Sequence, residues 1–306
     1  MKKDHNYCYY LVAFIDILGQ KEAFQGINSV PAEGEEDLKK KIIEAHKQTV
    51  QFVEVFRESF NNLFGVSKET KSKIEVPDTF KKQFNEIRKV SLKHKRFSDC
   101  ILAFVPFQTD KYHLNAVNGI RAIITSCGAM LLLSLSDGKA FRAGIEVGLG
   151  TELENGEVYG PALFKAYNLE RKIAQYPRIV IGPELINYLI NLSKKNPQMP
   201  NQDPIDIELC KVTADKCLKM IIKDFDGYNI VDYLGDEIKK IYSHPSVSYK
   251  ISYEEIFERA SKFVEEEYQK RKKMKDSKLA LRYYLLSNYF KIKTKMSHST
   301  SSNKTK

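Results

Sequence analysis

The sequence predicts an α+β fold: a mixed, largely antiparallel sheet with helices on one face, joined by a helical insertion and a helical C-terminus. Three observations predict it. Residues 7–17 are a continuous apolar run of β-branched and aromatic residues, without the alternation of a half-exposed strand. Asp226-Gly227 lies between two apolar stretches and is a hairpin signal. Strand and helix patterns otherwise follow one another along the chain, with no internal repeat.

Taken in order, the strand 7–17 turns at Ile17-Leu18-Gly19 into a short helix near Lys21 to Phe24. Residues 35–63 are an amphipathic helix, its apolar face made by Ile42, Ile43, Val50, Val53, Phe56, Phe60 and Leu63. A polar stretch with Pro77 and a helix over 79–90 complete an insertion over about 34–92. Ser98-Asp99 is turn chemistry. It is either the tip of a hairpin or the start of the apolar strand 100–105, which Pro106 closes. A long apolar helix over 114–135 stops near Gly138. The strand 141–150 carries glycines that permit close backbone approach or sharp twist, and a polar loop follows to Tyr159. Pro161 opens a helix over 162–174, and Pro183 opens another over 183–192, after a short strand at 178–181. A loop at 196–204 separates these from a hairpin over 220–234. Helices over 254–273 and 276–290 end the ordered chain, with disorder expected after residue 292.

Composition excludes several function classes. The 306 residues are 42% hydrophobic, enough to bury a sizeable core. The five cysteines, Cys8, Cys100, Cys127, Cys210 and Cys217, are odd in number and mostly set in apolar sequence, which predicts free buried thiols rather than disulfides or a zinc site. The six histidines lack metal spacing, and no GxxxxGK[ST] phosphate loop occurs. No unbroken apolar run reaches the roughly 18 residues of a membrane span, the longest being around Ala129 to Leu135. The N-terminus lacks a signal core, so a cytoplasmic protein without a membrane partner is expected. The net charge of +10 is concentrated in Lys39 to Lys41, Lys68 to Arg96, Lys262 to Lys278 and the tail from Lys291. Solvated helix faces and a tail explain it as well as a nucleic-acid groove does, and it would also recruit a nucleoside triphosphate.

The carboxylates carry the chemistry. Asp16 ends the buried run Phe14-Ile15-Asp16-Ile17-Leu18-Gly19, where an uncompensated charge is costly. Asp99 precedes a similar strand. Two strand-borne aspartates suit Mg²⁺ or Mn²⁺, which prefer oxygen ligands shared with substrate phosphates. The plainer readings are a helix-capping Asp16 and a turn-forming Asp99. Arg142, entering an apolar strand, suits phosphate oxygens or an ordinary surface position.

As an ordered set, FIDILG, FSD before an apolar strand, FRAGIEVG, VYGPALFKAYNLE with YPRIVI, and DGYNIVDYL resemble the class III nucleotide cyclases, and among them the bacterial Pycsar pyrimidine cyclases. The resemblance implies a ferredoxin-like cyclase domain over 7–235, a helical extension over 236–292 and a tail over 293–306. It implies a homodimer with sites at the interface and two metal ions, Mn²⁺ or Mg²⁺, held by Asp16, Asp99 and the Ile17 carbonyl. Arg142 would contact the triphosphate. The implied reaction converts UTP to 3′,5′-cyclic UMP and diphosphate in anti-phage defence, with a separate effector and no nucleic-acid partner. CTP is the alternative substrate, and a nucleotide sensor without turnover the alternative function. Phe14, Glu157, Tyr159, Arg171 and Lys172 are the implied substrate-binding residues. Glu157 and Tyr159 are otherwise read as a solvated loop glutamate and a core tyrosine. The chain departs from the purine cyclases at Phe164 and Asn168, where those enzymes carry an asparagine and an arginine. Arg171, Lys172 or Lys165 would have to supply the missing charge.

Overall fold

The computed structural model describes residues 7–19, 35–69, 92–97, 100–107, 114–154, 156–194, 204–245, 247 and 251–302. Its centre is an eight-stranded mixed sheet of order β2-β3-β1-β4-β6-β8-β7, with β5 pairing β4. The strands are β1 (Tyr7–Ile17), β2 (Lys93–Phe97), β3 (Cys100–Pro106), β4 (Phe141–Glu152), β5 (Val158–Tyr159), β6 (Ile179–Ile181), β7 (Ile221–Lys223) and β8 (Asn229–Val231). The continuous apolar run is the central strand because neighbours cover both its edges and helices cover both its faces. β1 runs antiparallel to β3 and β4, and the β4–β6 pair is parallel.

Odd-numbered β1 residues, Leu11, Ala13, Ile15 and Ile17, face the main core. That core is filled by α1 (Glu36–Glu69), α2 (Leu114–Ser136), α4 (Pro183–Ser193), α5 (Pro204–Lys219), α6 (Asp236–Tyr242), α7 (Tyr253–Lys273) and α8 (Ser277–Ser302). The predicted face of α1 buries Val53, Phe56, Phe60 and Leu63 in its second half, whereas Ile43 and Val50 in the first half are exposed. The even-numbered residues Cys8, Tyr10 and Val12 face the opposite way, against Ala162 and Ala166 of α3 (Pro161–Asn168). Helices on one face alone were expected; α3 corrects this. Two small-residue rows make its approach possible. A Cβ on Gly148 would lie 3.0 Å from Ala162 Cα, and one on Gly144 would overlap the Ala166 carbonyl oxygen and lie 2.7 Å from Glu170 N. Gly144→Ala is therefore expected to destabilise the fold by about 1–3 kcal/mol. A lower denaturant midpoint checks it; an unchanged midpoint would show that α3 moves aside freely.

Two polar anchors are buried beyond β6 and β8. Arg178 is 2% exposed. Its Nη1 bonds Asp224, while Nη2 donates to Asp226 Oδ2 and to the Ile173 carbonyl, both at 2.6 Å. Tyr176 donates to the same Asp224 at 2.5 Å. Asp232 accepts from Tyr289 Oη and Lys293 Nζ of α8, both at 2.5 Å.

Several expectations change. α5 and α6 lie in stretches to which the sequence assigned no element, and α8 continues to Ser302 where disorder was expected. By length and composition Ala116–Ser136 does reach the apolarity of a membrane span; 94% of its most apolar 18-residue window is buried inside the fold, which accounts for that apolarity. The Asp226-Gly227 hairpin forms between β7 and β8, with Gly227 at φ 83°. All five cysteines are free. The helices expected near Lys21 and over 79–90 lie outside the described residues.

Candidate functional site

Strand register assembles the site. On β1, Asp16 pairs with Cys100 of β3 on one side and with Arg142 of β4 on the other. These three stand on the α3 face, at the end of the sheet where β1 leaves and β4 enters. Arg142 Nη2 lies 2.7 Å from Asp16 Oδ2 and 2.7 Å from Glu170 Oε1. The contact with Glu170 is ionic without hydrogen-bond alignment, so Glu170 Oε1 and Arg142 Nε are buried polar atoms lacking a hydrogen bond among the described residues. Such atoms mark a place for a water, an ion or a substrate group.

Glu170 was missed in the sequence. It sits in a π-turn (Leu169–Ile173) that continues α3, a distortion that recurs at functional sites. A signal was present: Ala162, Ala166 and Glu170 follow at four-residue spacing, so the stripe of small residues that lies on the β4 glycines ends in a carboxylate. Glu170 is 3% exposed. Burial pushes its pKa up to about 7, Asp16 adds to the shift, and Arg142 opposes it.

Asp99 lies outside the described residues; its chain neighbour Cys100 stands opposite Asp16, and Cys100 Sγ is 3.7 Å from Asp16 Oδ1. β2 and β3 pair antiparallel with Phe97 opposite Cys100, the register of the hairpin reading. Ile17 is buried and pairs with Phe141. Phe14 packs edge-on to Tyr167 at 5.2 Å, and exposed Arg171 stacks over the same ring at 5.7 Å. Lys172 is exposed, and Lys165 pairs with Glu184 at 2.6 Å. Exposed Tyr159 pairs with Thr151, nine residues along β4 from Arg142, and Glu157 lies just beyond it. At about 3.3 Å per residue that is on the order of 30 Å from Asp16, so one chain does not bring these residues together. Tyr159 is 56% exposed and packs edge-on against Phe164 rather than in the core.

A metal fits this donor set in part. Among the described residues Asp16 Oδ1 meets the Cys100 thiol, and a hard cation is commonly held by one or two carboxylates with substrate phosphates. The described residues contain no group of three or more His, Cys, Asp or Glu side chains able to hold a metal by themselves. Asp99 and substrate oxygens would have to complete the shell.

Glu146, from the same strand, is buried for a different purpose. Its carboxyl accepts from Leu185 N at 2.8 Å, capping α4 where a Cβ on Gly182 would collide with it. Burial, with help from Glu184, raises its pKa to about 8, the amides of Val147 and Leu185 opposing. The folded chain therefore holds this proton more tightly than the unfolded chain. The associated stability is complete below about pH 4.5 and is lost as pH rises towards 8. Glu146→Gln is expected to remove up to about 1.4 kcal/mol per pH unit from the slope of stability across that window. Urea unfolding at several pH values checks it; an unchanged slope would mean that Glu146 is charged in the fold.

No protein-family model matches the chain, and no curated protein matches it either. Among solved structures, it is similar to a class III adenylyl cyclase-like ATP-binding protein from Pseudomonas aeruginosa. The identity is 14% and the TM-score 0.37, over 68% of this chain and 40% of that one.

Proposed function

We propose that the chain is a nucleotide cyclase that converts UTP to 3′,5′-cyclic UMP and diphosphate, a second messenger of the Pycsar type read by a separate effector in anti-phage defence. The observation that carries this reading is convergence: Asp16, Arg142 and Glu170, from three distant motif pieces, meet at one end of the sheet beside the residue that follows Asp99. Asp16 and Glu170 aim the Arg142 guanidinium, whose Nε is left to take a phosphate oxygen. The ribose 3′-oxygen bonds to the α-phosphorus, the bond to the diphosphate breaks, and the hydroxyl proton passes to solvent. Nucleophile and electrophile belong to one molecule, so orientation supplies much of the acceleration. Bound Mn²⁺ or Mg²⁺, held by Asp16, Asp99 and the Ile17 carbonyl, would supply charge stabilisation and acidify the hydroxyl.

A homodimer with shared sites is supported by the distance between Asp16 and Tyr159, which two copies can bridge and one cannot. Tyr7, Tyr9, Leu149, Tyr159 and Phe164 are all exposed around that far end, an apolar surface of the kind a second copy covers. One observation favours the sensor reading instead: Phe164 and Asn168 are both exposed and neither carries charge. The test is incubation of the purified chain with ATP, GTP, CTP and UTP in turn with Mn²⁺, followed by product identification. Cyclic UMP is the expected product and cyclic CMP the alternative. Absence of any cyclic product ends the enzyme reading, and nucleotide binding insensitive to Asp16→Ala would favour the sensor.

A further inference from the structure

Beside the Asp16 end of β1, α7 and α8 enclose a cleft of about 320 Å³, at the lower end of the roughly 300–1,000 Å³ usual for small-molecule sites. Its floor is the Leu18-Gly19 turn that follows β1, and its walls carry Lys139, Lys270, Arg271 and Arg282. Against these four cations the lining has one carboxylate, Glu267, which pairs with Lys270 at 3.0 Å and Arg271 at 2.9 Å. Arg282 is half-buried, lines the cleft and lies close enough to Arg142 to feel its charge. Burial and the positive charge of Arg142 both lower its pKa, with Asp276 opposing. Gathering cations until they repel one another costs free energy in the empty protein, and an anion bound among them recovers it.

We propose that the C-terminal helical pair forms a phosphate subsite, in which Arg282, Arg271, Lys270 and Lys139 bind the polyphosphate end of a nucleoside triphosphate. Naming the nucleotide as the source rests on the cyclase reading; the anion chemistry does not. On this view α7 and α8 are a wall of the site, and the terminal phosphates extend from Asp16 and Arg142 over the Leu18-Gly19 turn towards α8. Arg282 is expected to dominate because a guanidinium can bind two phosphate oxygens at once and this one has no carboxylate ion pair at contact distance among the described residues.

The test is calorimetric titration of the full chain with inorganic tripolyphosphate, with UTP and UMP as competitors. Wild type should bind tripolyphosphate, UTP should compete and UMP should not. Arg282→Ala should weaken binding at least about tenfold and Arg282→Lys should restore part of it, with thermal midpoints confirming folded protein. Lys262→Ala, on the exposed side of α7, should change nothing. Binding unaffected by Arg282→Ala, or weakened equally by Lys262→Ala, overturns the subsite. Binding that depends on Arg282 but is not displaced by UTP overturns the nucleotide assignment. If binding behaves as expected while no nucleotide is cyclised, the subsite stands and the cyclase reading falls. If a cyclic nucleotide forms with the same KM in Arg282→Ala, the reverse holds.

Discussion

If the chain is the cyclase proposed above, Asp16→Asn is expected to lower cyclic-nucleotide formation by at least about a hundredfold and to leave the fold intact. The reasoning starts from strand register. Asp16 is set between Cys100 and Arg142 by backbone pairing on both sides, so an amide of the same shape keeps its place in the sheet. What it loses is the charge that pairs with the Arg142 guanidinium and that, on the proposed function, would also hold a metal ion. Losing a charged transition-state contact costs about 10²–10³ in turnover, and losing the supports of a metal ligand about 10–100. Arg142 keeps Glu170 as an ionic partner, so stability should change little. Product formation and the thermal midpoint, measured on the same preparation, check both halves. Full activity in the variant would remove Asp16 from the chemistry.

Much of this arrangement was legible in the sequence. β1 could be read because a strand buried on both faces is apolar without alternation, and the β7–β8 hairpin because Asp226-Gly227 has few other uses. Asp16 and Arg142 stood out as charges in apolar strands. The α3 face was harder to read. Gly144 and Gly148 announce that something comes close, but only the structure identifies it as Ala162 and Ala166, and the same docking explains how Glu170 reaches Arg142. Glu170, one charge among several at the end of a helix, was marked only by its four-residue spacing from Ala162 and Ala166. α5 was missed because Asp206, Thr213 and Asp215 interrupt its pattern, leaving Leu209, Cys210, Ala214 and Cys217 as a thin buried stripe. Phe164 and Asn168 are exposed on the helix that carries Glu170.

The second large effect concerns Arg178. Replacing it with methionine is expected to destabilise the chain by about 3–5 kcal/mol, because it strands Asp224 beside the core without its cation. Asp224 would keep only the Tyr176 hydroxyl and the neighbouring Phe225 amide. Asp226→Asn should cost much less, since the Asp226 side chain is 27% exposed and water replaces part of the lost interaction. Arg178 also donates to the Ile173 carbonyl, the last residue of the π-turn that carries Glu170. Arg178→Met should therefore reduce turnover as well, even at temperatures where the variant is folded. Equilibrium urea unfolding together with product formation checks this, and a variant as stable as the parent would show the network to be dispensable.

The central position of β1 has a consequence for how the chain reaches this state. Its two partners are β3 and β4, so once made it finds its β4 neighbour only after residues 141–152 have followed. At about 5–20 residues per second that delay is on the order of ten seconds, during which an apolar strand has at least its β4 edge unpaired. The intervening α1 and α2 can form locally in the meantime. Refolding from denaturant should show helical signal well before the β1 amides gain protection from hydrogen exchange, and simultaneous protection would contradict this order. The same strand that positions Asp16 is thus the slowest to be secured, and the segment on which a chaperone would have most to hold.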